Sequence, residues 1–207
     1  MDSLIATAGV AAAVFVATNV DDVFIVAAFF ADERLDRRAV VLGQYLGIGT
    51  LVLASALAAV VALTIPSAWV ALLGAVPLVM GLARLRSLRR SRPPPGDAAD
   101  GPAAPASVPP GATTLAARVL AVATVTVANG GDNLGVYVPL FASSPAVVPV
   151  FAAVSAVMTG VWCALGYSLV SNRLSGALVR RYGRALLPVV LIAVGLYVLS
   201  SALELAR

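Results

Sequence analysis

Two long stretches of the chain carry no charged residue, and they restrict what the sequence can fold into. The first runs from Ala39 to Ala83 and the second from Asn133 to Asn172. A soluble domain contains about 25% charged residues, whereas this chain contains 12% charged and 60% hydrophobic residues. A helix needs about 20 apolar residues to cross a bilayer, and each stretch is longer than one crossing requires. The sequence therefore predicts an integral membrane protein whose surroundings are a lipid bilayer.

We expect an all-α fold of six transmembrane helices. Charged, polar and proline residues divide the apolar sequence into the spans Leu4–Ala31, Val40–Ile65, Ala68–Leu85, Leu115–Phe141, Ala146–Val170 and Ala185–Leu203. Residues 1–86 then form a first three-helix repeat and residues 114–207 form a second. The segment 87–113 between them is rich in Pro, Gly and Ala, which predicts a disordered linker. The N-terminal segment lacks a basic region, so we interpret it as the first span and not as a signal peptide.

The distribution of arginine predicts how the chain is oriented. Every arginine except Arg207 lies within or beside the loops that follow the first, third and fifth spans. Because positively charged loops stay in the cytoplasm, these loops are predicted to be cytoplasmic and both termini to lie outside. This topology accounts for the net charge of +4, so we expect no nucleic-acid partner.

Two polar segments interrupt the first and fourth spans. They are Thr18-Asn19-Val20-Asp21-Asp22 and Asn129-Gly130-Gly131-Asp132-Asn133. Asn19 and Asp22 recur as Asn129 and Asp132 at one constant offset. Each half has three spans, an odd number, so the two halves must enter the membrane in opposite directions. The pattern predicts two inverted three-helix repeats, as in many secondary transporters.

The aspartates of these segments are predicted to meet near the middle of the bilayer. On an ideal helix Asp22 lies about 16 Å from Glu33 and Asp132 about 21 Å from Arg118, within a hydrocarbon core of about 30 Å. Carboxylates at such depth usually serve an ion site or a proton relay. We expect a divalent cation to bind oxygen atoms of Asp22, Asp132, Asn129, Asn133, Asn19 and Asp21. Gly130 and Gly131 are expected to weaken the helix and free main-chain carbonyls for the ion.

The chemistry of this oxygen set favours transport coupled to protons. Two facing carboxylates balance the charge of a divalent ion, and when the ion leaves, one of them should take up a proton. The chain has no histidine and one cysteine, Cys163, which excludes a disulfide framework and every Cys/His metal motif. We expect no resident cofactor and no enzymatic activity. A structural pairing of Asp21 and assembly into a homo-oligomer both stay open.

Several motifs resemble the cadmium-resistance transporters of the LysE exporter superfamily. The matching residues are Thr18-Asn19-Val20-Asp21-Asp22, Gly43-Gln44-Tyr45-Leu46-Gly47, Trp69 with Leu72-Leu73-Gly74 and Pro77, and Ala128-Asn129-Gly130-Gly131-Asp132-Asn133 with Tyr137, Pro139, Leu140 and Phe141. The resemblance spans both halves and omits the linker. It implies a bacterial plasma-membrane exporter of Cd2+ and related divalent ions, with its site in the matched residues of the first and fourth spans. Asn19 departs from the pattern, which more often has Ser there.

The identity of the metal and two other functions stay open on the sequence alone. Cd2+ is a soft ion that favours thiolates, whereas an all-oxygen site suits Mn2+, Ca2+ or Mg2+. An amino-acid exporter of the LysE type needs a partner for the substrate carboxylate, and no arginine lies at mid-membrane, although helix N-termini can substitute. An intramembrane aspartyl protease also uses two aspartates, but Asn129 stands where its GxGD motif has glycine. In a purely structural protein the same residues would tie helices together by hydrogen bonds.

Overall fold

The described part of the chain is helical and contains no strand. The computed structural model describes residues 2–20, 22–62, 78–79, 82, 114–171, 192 and 196. The helices are α1 (Asp2–Asn19), α2 (Asp22–Ala31), α3 (Arg37–Ala62), α4 (Leu115–Asn129), α5 (Gly131–Ser143) and α6 (Val148–Ser171), with a 3-10 turn at Pro145–Val147 before α6. Apart from single positions, the predicted spans Ala68–Leu85 and Ala185–Leu203 and the predicted linker lie outside the described residues, as does Asp21.

Two described segments are long and apolar enough to cross a membrane. They are α3, over Arg37–Ala62, and the segment Pro145–Val170 that includes most of α6. Helices α1 and α2 pass the same test when taken together, but they are bent by 63° at the break between them. These features confirm a helical membrane protein with two or three candidate spans. Six spans and an inverted repeat stay predictions.

The helix ends follow local hydrogen bonding. The Asp36 carboxylate accepts a hydrogen bond from the main-chain N–H of Ala39 at 2.7 Å, which satisfies a donor in the first turn of α3. The Thr114 hydroxyl does the same for Ala117 at the start of α4, at 3.2 Å. In the loop between α2 and α3, hydrogen bonds from Arg34 hold the pKa of the exposed Asp32 carboxyl below its usual range. The second and fourth predicted spans are therefore each preceded by a polar capping residue, Asp36 or Thr114.

Helix α3 packs closely against α4 because two glycines on α3 face it. A Cβ atom at Gly43 would lie 2.5 Å from the Val122 Cβ and 2.9 Å from the Val119 carbonyl oxygen. A Cβ atom at Gly47 would lie 2.6 Å from the Thr126 Cβ. The absence of side chains at these two positions therefore permits close approach of the two helices.

Substitution of Gly43 by alanine should lower stability through this contact. The added methyl group meets a main-chain carbonyl that cannot rotate away, so overpacking should cost about 1–3 kcal/mol in the free energy of unfolding. The matched control is Gly49→Ala on the same helix, where a Cβ meets nothing within 4 Å. The melting temperatures of the two variants are measured in detergent. Both variants gain the same helix propensity, so a difference between them reports the packing contact at Gly43. Equal melting temperatures for the two variants would contradict the packing account.

An aromatic cluster fills the core where α1, α5 and α6 meet. The rings of Tyr137 and Phe151 lie 4.6 Å apart between centroids, and those of Phe141 and Phe151 lie 5.1 Å apart. Phe15 and Trp162 meet edge to face at 5.4 Å. All five side chains are buried. Two members of this cluster, Tyr137 and Trp162, also contact the polar residue Asn19.

Candidate functional site

The chain breaks its first apolar helix at the polar segment identified in the sequence. Helix α1 ends at Asn19, α2 begins at Asp22, and the two helix axes diverge by 63°. Asp22 lies in the first turn of α2 and is 7% exposed. A carboxylate is stabilised at this end of a helix because the unpaired main-chain N–H groups give it a partial positive charge. The break therefore places a buried anionic group beside the freed end of α1.

The carboxamides of Asn19 and Asn133 pair with each other across the bundle. The Asn133 Nδ2 donates to the Asn19 Oδ1 at 3.2 Å, and the Asn19 Nδ2 lies 3.4 Å from the Asn133 Oδ1. Asn133 has no exposed surface, and Asn19 is 1% exposed. Buried amides need such partners because an unsatisfied polar group in an apolar interior is costly. Two residues from opposite halves of the sequence thus share one polar chamber.

Two hydroxyl groups extend this chamber. The Thr18 and Tyr137 hydroxyls lie 3.0 Å apart, and the Asn19 Nδ2 donates to the Tyr137 hydroxyl at 3.2 Å. Tyr137 follows Asn133 by one helical turn on α5, so the two side chains share a face. Both hydroxyls are buried. These four oxygen-bearing side chains form a cluster that we call the polar chamber. They are Thr18 and Asn19 from α1 and Asn133 and Tyr137 from α5.

A second contact between the halves joins Asp22 to Asn129. The Asn129 Nδ2 donates a hydrogen bond to the Asp22 Oδ1. Asn129 is the last residue of α4, and its side chain is exposed, whereas Asp22 is buried. The contact places one carboxylate and one carboxamide at the boundary between the packed interior and the surface. Asp22 is the first residue after the break between α1 and α2, and Asn129 is the last residue before the break between α4 and α5.

Asp132 lies in the first turn of α5 and is half-buried. Its Oδ1 accepts a hydrogen bond from the main-chain N–H of Asn133 at 3.0 Å. Asp132 and Asp22 come from different halves of the chain, and each lies in the first turn of the helix that follows a break.

Gly130 interrupts the helix, as expected, because α4 ends at Asn129, α5 begins at Gly131 and Gly130 between them is not helical. The Gly130 carbonyl itself accepts a hydrogen bond from the main-chain N–H of Leu134 at 3.2 Å, so this oxygen is not freed for an ion. Gly130 also allows Leu51 of α3 to approach, because a Cβ atom there would collide with the Leu51 side chain. A Cβ at Gly131 would meet nothing within 4 Å. The free end of a helix is found at Asn19, and its carbonyl accepts a hydrogen bond from the Trp162 Nε1 at 2.6 Å.

A family profile described as cadmium resistance transporter matches residues 15–89 and 112–205. The matched residues include both polar segments and make up more than half of the chain. The chain belongs to the cadmium resistance transporter family. Searches of curated proteins and of solved structures gave no significant match. The matched regions leave out residues 90–111 of this cadmium resistance transporter, which fall within the predicted linker.

Most of the predicted site residues of this transporter fall into two adjacent pairs. Asn19 pairs with Asn133 and Asp22 with Asn129, Asp132 lies beside Asn133, and Asp21 is outside the described residues. Among the residues that the structure describes, no group of three or more His, Cys, Asp or Glu side chains is placed to hold a metal ion. The described oxygen atoms at this place come from two carboxylates, carboxamides and hydroxyls. Such a mixed set suits a hard or intermediate cation bound weakly enough to be released.

Sequence reasoning did not assign two residues of the site to a role. Tyr137 was noted only as part of the family motif, yet its spacing of four from Asn133 was a signal that the two share a helix face. Trp162 lies in an apolar run far from both polar segments in the sequence. No local pattern connects it to Asn19, so only the tertiary structure identifies the contact.

Proposed function

We propose that the protein is a secondary transporter that exports divalent heavy-metal cations, Cd2+ and related ions, in exchange for protons. It would act in the bacterial plasma membrane with both termini outside. The proposed ligands come from Asp22, Asp132, Asn129, Asn133, Asn19 and Asp21. The observation that carries the proposal is the Asp22–Asn129 contact at a broken helix, next to the Asn19–Asn133 pair. Family membership supports the metal as substrate.

The polar chamber and the aspartates beside it would together allow a cation to bind within an apolar bundle. The carboxylates of Asp22 and Asp132 supply two negative charges, and the carboxamide oxygens of Asn129 and Asn133 supply neutral ligands. Hard divalent cations take six or more oxygen ligands, so main-chain oxygens or water complete the shell. Buried charges are stable only when they are paired or bind a metal. In this proposal the positive charge of the bound ion offsets the repulsion between the two carboxylates.

Release of the ion provides the coupling to protons. After the cation leaves, Asp22 and Asp132 repel each other in a medium of low dielectric constant. Uptake of one proton removes this repulsion and resets the site for the return step. Exchange of a divalent cation for protons follows from these charges, and it requires no energy source beyond the proton gradient.

Flux into proteoliposomes tests the proposal directly. Purified protein is reconstituted, and uptake of Cd2+, Mn2+, Zn2+, Ca2+ and Mg2+ is measured with and without a pH gradient. We expect saturable Cd2+ flux that rises when protons can move in the opposite direction, together with a pH change inside the vesicles. Protein-free vesicles and lysine as substrate are the controls. Saturable lysine flux without metal flux would favour amino-acid export and overturn the proposal.

A further inference from the structure

The main-chain carbonyl of Asn19 is the end of a broken helix, and it has one specific partner. The Trp162 indole Nε1 donates to this oxygen at 2.6 Å from helix α6. At the break, main-chain carbonyls of the last turn lose their partners within the helix. In transporters the carbonyls of broken helices often bind the ion. The Trp162 indole therefore occupies an oxygen of the kind that a transported cation uses.

The Trp162 side chain is held firmly in this position. Its ring meets Phe15 edge to face at 5.4 Å, with an interplanar angle of 90°, and it is 9% exposed. The indole nitrogen can donate a hydrogen bond but cannot accept one, so its contact with the Asn19 carbonyl has a single possible direction. Phe15 lies one turn before Asn19 on α1, and its own carbonyl accepts from the Asn19 Nδ2 at 2.9 Å. Both ends of the contact are consequently fixed by buried neighbours.

Both oxygen atoms of Asn19 accept hydrogen bonds in this arrangement. Trp162 donates to the main-chain oxygen, and the Asn133 Nδ2 donates to the side-chain Oδ1. An N–H group directed at an oxygen presents its positive end to any cation that approaches that oxygen. Each oxygen keeps a second lone pair, but the positive N–H beside it weakens its attraction for a cation, so the two hydrogen bonds compete with cation binding at Asn19.

We propose that Trp162 is a positioning residue whose indole N–H holds the Asn19 carbonyl and competes with the cation for this oxygen. The inference rests on the proposed metal transport and adds a group outside the proposed ligand set. The indole hydrogen bond opposes the cation at this oxygen. It thus weakens binding and favours release, which an exporter requires.

The test removes the N–H group and keeps the shape of the ring. The chain has two tryptophans, so the Trp69→Phe variant is the parent, with Trp162 as its sole indole. Trp162 of this parent is replaced by β-(3-benzothienyl)alanine, in which sulfur stands in place of N–H. The dissociation constant for Cd2+ is measured by equilibrium dialysis in detergent. We expect it to fall by about 2- to 10-fold, the range that one net hydrogen bond supplies, while Cd2+ flux in proteoliposomes slows.

A second measurement leaves Trp162 intact. Saturating Cd2+, a closed-shell ion, should shift the fluorescence emission of Trp162 in the parent, and the Asp22→Asn variant should show no shift. Unchanged emission at saturation, or an unchanged or raised dissociation constant in the analogue, would overturn the role of Trp162 while metal transport stands. Wild-type protein that neither binds nor transports Cd2+ would overturn the proposed function and this inference with it.

Discussion

Replacement of Asp22 or Asp132 by asparagine should abolish Cd2+ flux. Asparagine has nearly the same shape as aspartate and can still accept the hydrogen bond that Asn129 donates to residue 22. The variant therefore removes one charge and leaves the packing in place. Loss of one carboxylate leaves the charge of the bound cation only partly balanced, and a buried charge deprived of its partner costs about 3–5 kcal/mol. We expect transport to fall by about 100-fold or more, measured as Cd2+ uptake into proteoliposomes.

A carboxylate away from the site provides the matched control. Asp36 caps α3 through the main-chain N–H of Ala39 and lies 3.4 Å from an Arg118 side-chain nitrogen. Asparagine is as good an N-cap residue as aspartate, so Asp36→Asn should transport Cd2+ at the parent rate. Normal flux in both site variants would reject the carboxylate site, whatever the result for Asp36.

Replacement of Asn133 by leucine should impair both stability and transport. Leucine has the same branching and number of heavy atoms as asparagine but no polar atoms, so the Asn19 Oδ1 loses the donor that it has at 3.2 Å. A buried acceptor left without a partner costs about 1–3 kcal/mol. We expect a lower melting temperature, because Asn133 is completely buried. We also expect a fall in flux of at least about tenfold, because the same change removes a ligand oxygen.

Thr124 supplies the comparison for this variant. Its hydroxyl is exposed and donates to the Leu120 carbonyl of its own helix at 2.8 Å, so Thr124→Val removes a polar group of α4 that joins no other helix. The variant should unfold and transport like the parent. If Asn133→Leu behaves in the same way, the Asn19–Asn133 pair is dispensable, and the polar chamber is not the transport site.

The sequence predicted the positions of the polar breaks well, because charges and glycines within apolar runs are rare and informative. The break of the first span falls at Asn19–Asp22, and the fourth predicted span divides at Gly130. A helix break depends mainly on the residues of the helix that contains it, so it can be predicted without knowledge of the neighbouring helices.

The partners within the site were not predictable in the same way. The expectation that Asn19 binds a cation stays a prediction. The hydrogen bonds of Asn19 to Asn133 and Tyr137, and the bond of its carbonyl to Trp162, had no signal in the sequence. Such contacts depend on how helices rotate and cross, which apolar periodicity does not determine in a chain whose helices are apolar all round. Gly130 was expected to interrupt its helix, and it does, but the close approach of Leu51 to Gly130 depends on the same tertiary packing.

The contacts across the chamber also bear on how the protein is made. Thr18 and Asn19 bond Tyr137, Asn133 and Trp162, and Asp22 bonds Asn129. All of these partners belong to the second half of the chain, which the ribosome synthesises later. The first broken helix must therefore be inserted before the groups that satisfy it in the folded protein exist. Its polar segment would wait beside water, the insertion machinery or a temporary neighbour, and completion of the second half would allow it to move into the bundle.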